Sequence, residues 1–146
     1  MPELARLMRA FYAESGFALA EEPAAAGFKA LLANTRLGRV WLIQKGPAVA
    51  AAGYIVVTFV FAMEYGGMAG VVDDFYLRPD ARGEGLGKAA LAAARRACEE
   101  LGMRAMRVEV GVDNLVAQAV YRSAGFEALP GHGLMAASLT PPAHDG

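Results

Sequence analysis

The chain is poor in the residues that carry redox, metal and secreted chemistry. Its 146 residues include one cysteine, Cys98, and two histidines, His132 and His144. A single thiol cannot close an internal disulfide, which excludes a disulfide-stapled secreted scaffold and leads us to expect a reducing, cytoplasmic location. Cys98 lies in a helical pattern of small apolar residues and reads as buried packing, not as a nucleophile. Both histidines sit in Gly- or Pro-flanked segments, and no Cys, His or carboxylate cluster has ligand spacing, so no metal is expected. Charge of one sign is also missing. Lys and Arg number 14 against 15 Asp and Glu, a net charge of -1, which leaves no field for a polyanion and excludes nucleic acid as the main partner. No apolar run reaches the roughly 20 residues of a membrane span. The nearest, Pro47 to Met63, is broken by Gly53 and Thr58, and its second half is β-branched and aromatic, which suits a strand buried on both faces. The first nine residues carry Glu3, Arg6 and Arg9 in place of an apolar signal core, so no membrane partner is expected.

Material for a core is abundant. Hydrophobic residues make up 55% of the chain and charged residues 20%, which excludes general disorder. No repeat and no Pro/Gly linker divides it, so residues 1–146 read as one domain. Glu3 to Glu14 has helical apolar spacing, and Pro23 to Thr35 reads as a second helix. Arg39 to Ile43 is a strand, the apolar run another, and Glu64-Tyr65-Gly66-Gly67 a hairpin turn in which the paired glycines supply positive φ. Gly70 to Leu77 is a further strand. After Gly87 an amphipathic helix places Leu86, Ala90, Ala93, Ala94, Ala97 and Leu101 on one face and ends at Gly102. Met106 to Val110 is a strand, Asn114 caps a helix to about Ala124, Leu134 to Leu139 is a last strand, and Pro141 to Gly146 is a frayed tail. This order gives an α/β fold with an antiparallel start and a βαβ unit in its second half.

The richest segment is Arg82-Gly83-Glu84-Gly85-Leu86-Gly87-Lys88, between a strand and a helix. Alternating glycines let a ligand approach the backbone, and the free N–H groups of a helix start point at an anion. The alternative is a turn that only connects two elements, but three alternating glycines exceed what a turn requires, so the loop reads as a phosphate cradle. It is not the ATP-type loop, because Arg82 stands where that loop needs glycine and Ala89 where it needs a hydroxyl. It departs from the dinucleotide fingerprint at Lys88, the sixth position counted from Gly83, although Glu109 lies where a ribose-binding acid is expected.

Arg82-x-x-Gly85-x-Gly87 resembles the acyl-CoA signature of the GNAT N-acetyltransferase superfamily, and Asn114-x-x-Ala117-x-x-x-Tyr121-x-x-x-Gly125-Phe126 resembles its second motif, in the same order. The resemblance implies a GNAT-like mixed, mostly antiparallel central sheet with flanking helices and a V-shaped splay between the middle strands. It implies acetyl-CoA as co-substrate, with its pantetheine arm in the splay along Phe75, Tyr76 and Leu77. The pyrophosphate would rest on Arg82, Gly83, Glu84, Gly85, Leu86, Gly87 and Lys88, and Asn114 and Tyr121 would give further contacts. It leaves room for a homodimer.

Acetyl transfer to an amine needs an unprotonated nucleophile, a polarised thioester carbonyl and a proton for the leaving thiolate. An alkyl amine has a pKa near 10, so a base assists at neutral pH. Asp73 and Asp74 are adjacent in the strand before the loop, so alternation points them to opposite faces. Asp73-Asp74-Phe75-Tyr76-Leu77 resembles the acid-Asp-aromatic-aromatic-aliphatic run of polyamine-type members, with Asp where Glu is usual. That makes Asp73 the candidate base, with Glu109 and Glu64 as rivals, and the resemblance gives the N–H near Leu77 the carbonyl contact. Tyr121, two helical turns after Asn114 and on its face, is the candidate general acid, since a phenol can protonate a departing alkyl thiolate. The expected function is direct acetyl transfer to a primary amine of a small molecule or peptide. A non-catalytic acyl-CoA sensor and a small nicotinamide-binding protein are the alternatives.

Overall fold

The computed structural model describes residues 6, 7, 10, 21–46 and 50–139. Arg6, Leu7 and Ala10 are helical, while the rest of the expected Glu3–Glu14 helix and the tail from 141 lie outside the described residues. Helix α1 spans Glu21–Ala33, followed by strands β1, Gly38–Ile43, β2, Gly53–Ala62, and β3, Gly67–Leu77. Helix α2, Leu86–Glu100, leads to β4, Ala105–Val108, and α3, Leu115–Ser123. The four strands form one sheet in the order β1-β2-β3-β4. β1, β2 and β3 pair antiparallel, and β3 pairs parallel with β4 across the α2 crossover. The sheet is mixed and mostly antiparallel, with helices on both faces, as expected.

Alternation along β2 sorts the core into two halves. Tyr54 and Val56 face α1 and pack with Leu7, Phe28, Leu31 and Tyr76. Ile55 and Val57 face the other way, against Leu91, Ala94 and Cys98 of α2. The period of two gives β2 two apolar faces, which is why it reads as a continuous hydrophobic run. On α2 the buried stripe is Leu91, Ala94 and Cys98 at helical spacing. Ala93 and Leu101 of the expected face are exposed instead. Burial pushes the Cys98 thiol pKa up, which keeps it protonated and inert.

Three local features differ from expectation. The hairpin between β2 and β3 is a 3-10 turn at Met63–Tyr65, and Gly66 alone takes positive φ, at 69°; Gly67 already belongs to β3. No strand forms at Leu134–Leu139. A strand there needs an edge to pair with, and Leu134, Met135 and Leu139 stay exposed. Third, the β2–β3 register shifts between Val56 and Val57: Val56 faces Asp74, Val57 faces Val72, and Asp73 is the extra residue of a β-bulge.

Candidate functional site

The sheet opens where β3 outruns β4. Pairing between them stops at Val72 and Val108, while β3 continues to Leu77. Among the described residues, 73–77 of β3 thus have no strand partner on that side. The N–H of Arg78 donates to Ala52 O of the β2 side at 2.7 Å, so strand alternation turns the N–H and C=O groups of Phe75 and Leu77 toward the opening. Arg82 Nε donates to the Leu77 carbonyl at 3.0 Å, which fits this direction.

At the mouth of the opening lies the glycine loop. Gly83 and Gly85 have φ of 79° and 82°, conformations that a side chain would strain, and a Cβ on either would meet no protein atom within 4 Å. Gly85 is the N-cap of α2 and supplies no side-chain cap, and the first intrahelical bond of the helix runs from Ala89 N–H to Gly85 O at 3.1 Å. The N–H groups of Leu86, Gly87 and Lys88 are therefore outside the helical ladder, beside open space. Gly87 faces inward: a Cβ there would touch Phe75, Leu77 and Val120 at 3.4–3.6 Å. Lys88 is exposed. Glu84 is neutralised by Lys45 of the β1–β2 connection, Nζ to Oε1 2.7 Å. The Arg82 guanidinium lies 5.7 Å from the centroid of the Tyr76 ring. Tyr76 itself is buried in the α1-side core, and the same alternation turns its N–H and C=O toward β2, away from the opening.

Tyr121 stands on the α2 side of β3. Its ring meets Phe75 edge-on at 6.1 Å and Phe126 at 5.5 Å between centroids. Burial pushes its phenol up to about 12, so the hydroxyl keeps its proton throughout the neutral range. Asn114 caps α3, its Oδ1 accepting from Ala117 N–H at 3.1 Å, which leaves its amide N–H groups available. Gly125 of the second motif has a structural reason. Its φ is +96°, and a Cβ would lie 2.6 Å from Arg95 Nη1, which donates to Ala124 O and ties α3 to α2.

The acids do not lie where alternation predicts. Asp73 and Asp74 do not point to opposite faces. Thr58 Oγ1 donates to Asp73 Oδ2 at 3.3 Å, and Tyr54 OH donates to Asp74 Oδ2 at 3.3 Å. Thr58 and Tyr54 are four apart on β2 and share the α1 face, so both carboxylates are on that face. The bulge at Asp73 cancels one step of alternation. The rival Glu64 is held by Arg107 Nη1 at 3.3 Å, and Glu109 is exposed just beyond the end of β4. Asp73 and Tyr121 thus stand on opposite faces of β3, with the opening beside them. Thr58 and Lys45 were not among the sequence candidates; each is a lone polar residue whose partner is distant in sequence.

The chain matches the model of the acetyltransferase (GNAT) family over residues 3–126. No protein among the curated sequences matches it. Among solved structures, an integron cassette protein from the mobile metagenome of Cole Harbour Salt Marsh is 50% identical, with a TM-score of 0.83 over 97% of this chain and 86% of that one. A predicted acetyltransferase from Clostridium acetobutylicum, solved with acetyl-CoA, is 16% identical (TM-score 0.75, 91% and 87% covered). An aminoglycoside antibiotic 6'-N-acetyltransferase from Acinetobacter haemolyticus is 15% identical (TM-score 0.73, 95% and 92% covered).

Proposed function

The chain belongs to the GNAT acetyltransferase family, whose members use acetyl-CoA, and on that premise we propose that it transfers the acetyl group directly to a primary amine. The observation that carries this is the open edge of β3, with an uncapped helix start at its mouth and Asp73 and Tyr121 on its two sides. Bound acetyl-CoA supplies an activated thioester; everything else falls to the chain. The N–H groups of Leu86, Gly87 and Lys88 hold the pyrophosphate, and Gly83 and Gly85 leave it the room. The N–H of Leu77 or Phe75 faces the opening and steadies negative charge on the carbonyl oxygen. Asp73, on the α1 face, draws a proton from the incoming ammonium. Tyr121, from the other face, holds a proton at Oη for the leaving sulfur. A free thiol titrates near 8.5, well below this phenol, but the desolvation that raises Tyr121 also raises a thiolate beside it and narrows the gap.

The carboxylates of Asp73 and Asp74, both on the α1 face, favour a cationic amine. The reading is tested by thiol release from acetyl-CoA with a panel of spermidine, an aminoglycoside and Nα-blocked lysine. At least one amine is expected to release thiol in proportion to enzyme and to appear acetylated by mass. Acetyl-CoA binding in calorimetry without turnover of any amine would point instead to the sensor reading, and NAD binding in its place to the nicotinamide one.

A further inference from the structure

We propose that Thr58 is a positioning residue for the reaction, holding the Asp73 carboxylate in the orientation that receives the amine proton. The inference rests on the role given to Asp73 above. As the extra residue of the bulge, Asp73 has no opposite number on β2, and it is exposed, so neither ladder pairing nor packing fixes its side chain. Among the described residues one polar contact restrains it, the hydroxyl of Thr58 on its Oδ2. That donor is itself fixed. Thr58 lies inside β2, half-buried, between the Gly38 and Val71 pairings on either side, and a β-branched side chain in a strand has few χ1 states.

The geometry divides the carboxylate into two tasks. Oδ2 accepts from Thr58, and Oδ1 keeps its lone pairs for the substrate ammonium. The bond is long, at 3.3 Å, as such contacts often are before the substrate arrives. Asp is one methylene shorter than Glu, so its reach is spent by small rotations. A hydroxyl that stops those rotations keeps the distal oxygen aimed. A misplacement of about 1 Å is enough to cost up to 100-fold in rate.

The test is a double-mutant cycle on kcat with the best amine of the panel. Thr58→Val keeps the shape and the β-branch, removes the hydroxyl and leaves no buried polar group unsatisfied, so the melting temperature should hold. We expect kcat to fall about tenfold with the KM for acetyl-CoA unchanged, and Thr58→Ser to restore most of it. Asp73→Asn should cost about 100-fold, and adding Thr58→Val to it should change kcat less than twofold, since nothing remains to be aimed. If Asp73→Asn is costly but Thr58→Val is silent, or the two effects multiply, Thr58 does not act through Asp73. If Asp73→Asn is itself silent, or no amine is acetylated, the base assignment fails first and the inference with it.

Discussion

Removing the Tyr121 hydroxyl separates chemistry from packing. The ring is held by Phe75 and Phe126 at 6.1 and 5.5 Å, and Phe in its place keeps both edge-on contacts. Tyr121→Phe should therefore leave the melting temperature at neutral pH within a degree or two, and acetyl-CoA affinity nearly unchanged. If the hydroxyl protonates the leaving sulfur, kcat falls by about 100-fold, because a general acid is felt only in the transition state. The raised phenol pKa gives a second readout. Folding raises it from 10.0 to about 12, so between those values the unfolded chain loses a proton that the folded chain keeps. Stability contributed by this group is complete below pH 10 and drains as pH rises through 12, by on the order of 2–3 kcal/mol in all. Urea unfolding at pH 8, 10 and 11.5 should show a steeper alkaline loss in the wild type than in Tyr121→Phe. Steady-state kinetics on the same preparations completes the test. A kcat within about threefold of wild type refutes the acid role, and parallel stability profiles refute the burial argument.

Asp73→Asn should slow acetylation most at low pH, where free amine is scarcest, whereas Glu109→Gln should stay within about threefold; the opposite pattern in pH–rate profiles moves the base to Glu109. Leu91 is 1% exposed at the centre of the α2-side core, so Leu91→Ala should cost about 2–4 kcal/mol in urea unfolding, and a loss under 1 kcal/mol would mean that the helix does not pack as described. Gly125→Ala forces a side chain onto φ +96° and against Arg95, so it should cost about 1–3 kcal/mol, and a neutral result would show that α3 ends differently.

Local signals in the sequence carried most of the second half of the fold. Asn114 as a cap, Gly102 as a stop and α2 as an amphipathic helix are each decided within one or two turns, and the structure agrees with the cap, the stop and the helix, while its buried stripe is Leu91, Ala94 and Cys98 in place of the expected face. The glycine loop was equally legible, because positive φ at Gly83 and Gly85 is a property of the residue type. The acids were not. Whether Asp73 shares a face with Asp74 depends on the β2–β3 register, and the bulge that sets it lies between the pairs Val57–Val72 and Val56–Asp74, far apart in sequence and with no mark in local propensity. The segment at 134–139 failed for a related reason: its apolar residues suit a strand, but a strand exists only with a partner, and apolar character names none. Thr58 could not be found from sequence, since its importance lies wholly in what stands across the ladder.

If the loop before α2 is the donor cradle, calorimetric titration of acetyl-CoA into Gly85→Val tests it most directly. An added Cβ at Gly85 meets no protein atom within 4 Å, so the fold pays only the strain of φ 82°, about 1–2 kcal/mol, which a melting curve will register. The ligand loses the space in front of the Leu86, Gly87 and Lys88 N–H groups. Wild type should bind acetyl-CoA one to one, and the folded variant at least tenfold more weakly. Equal affinity in the two proteins would place the donor elsewhere and rule out the loop as its cradle.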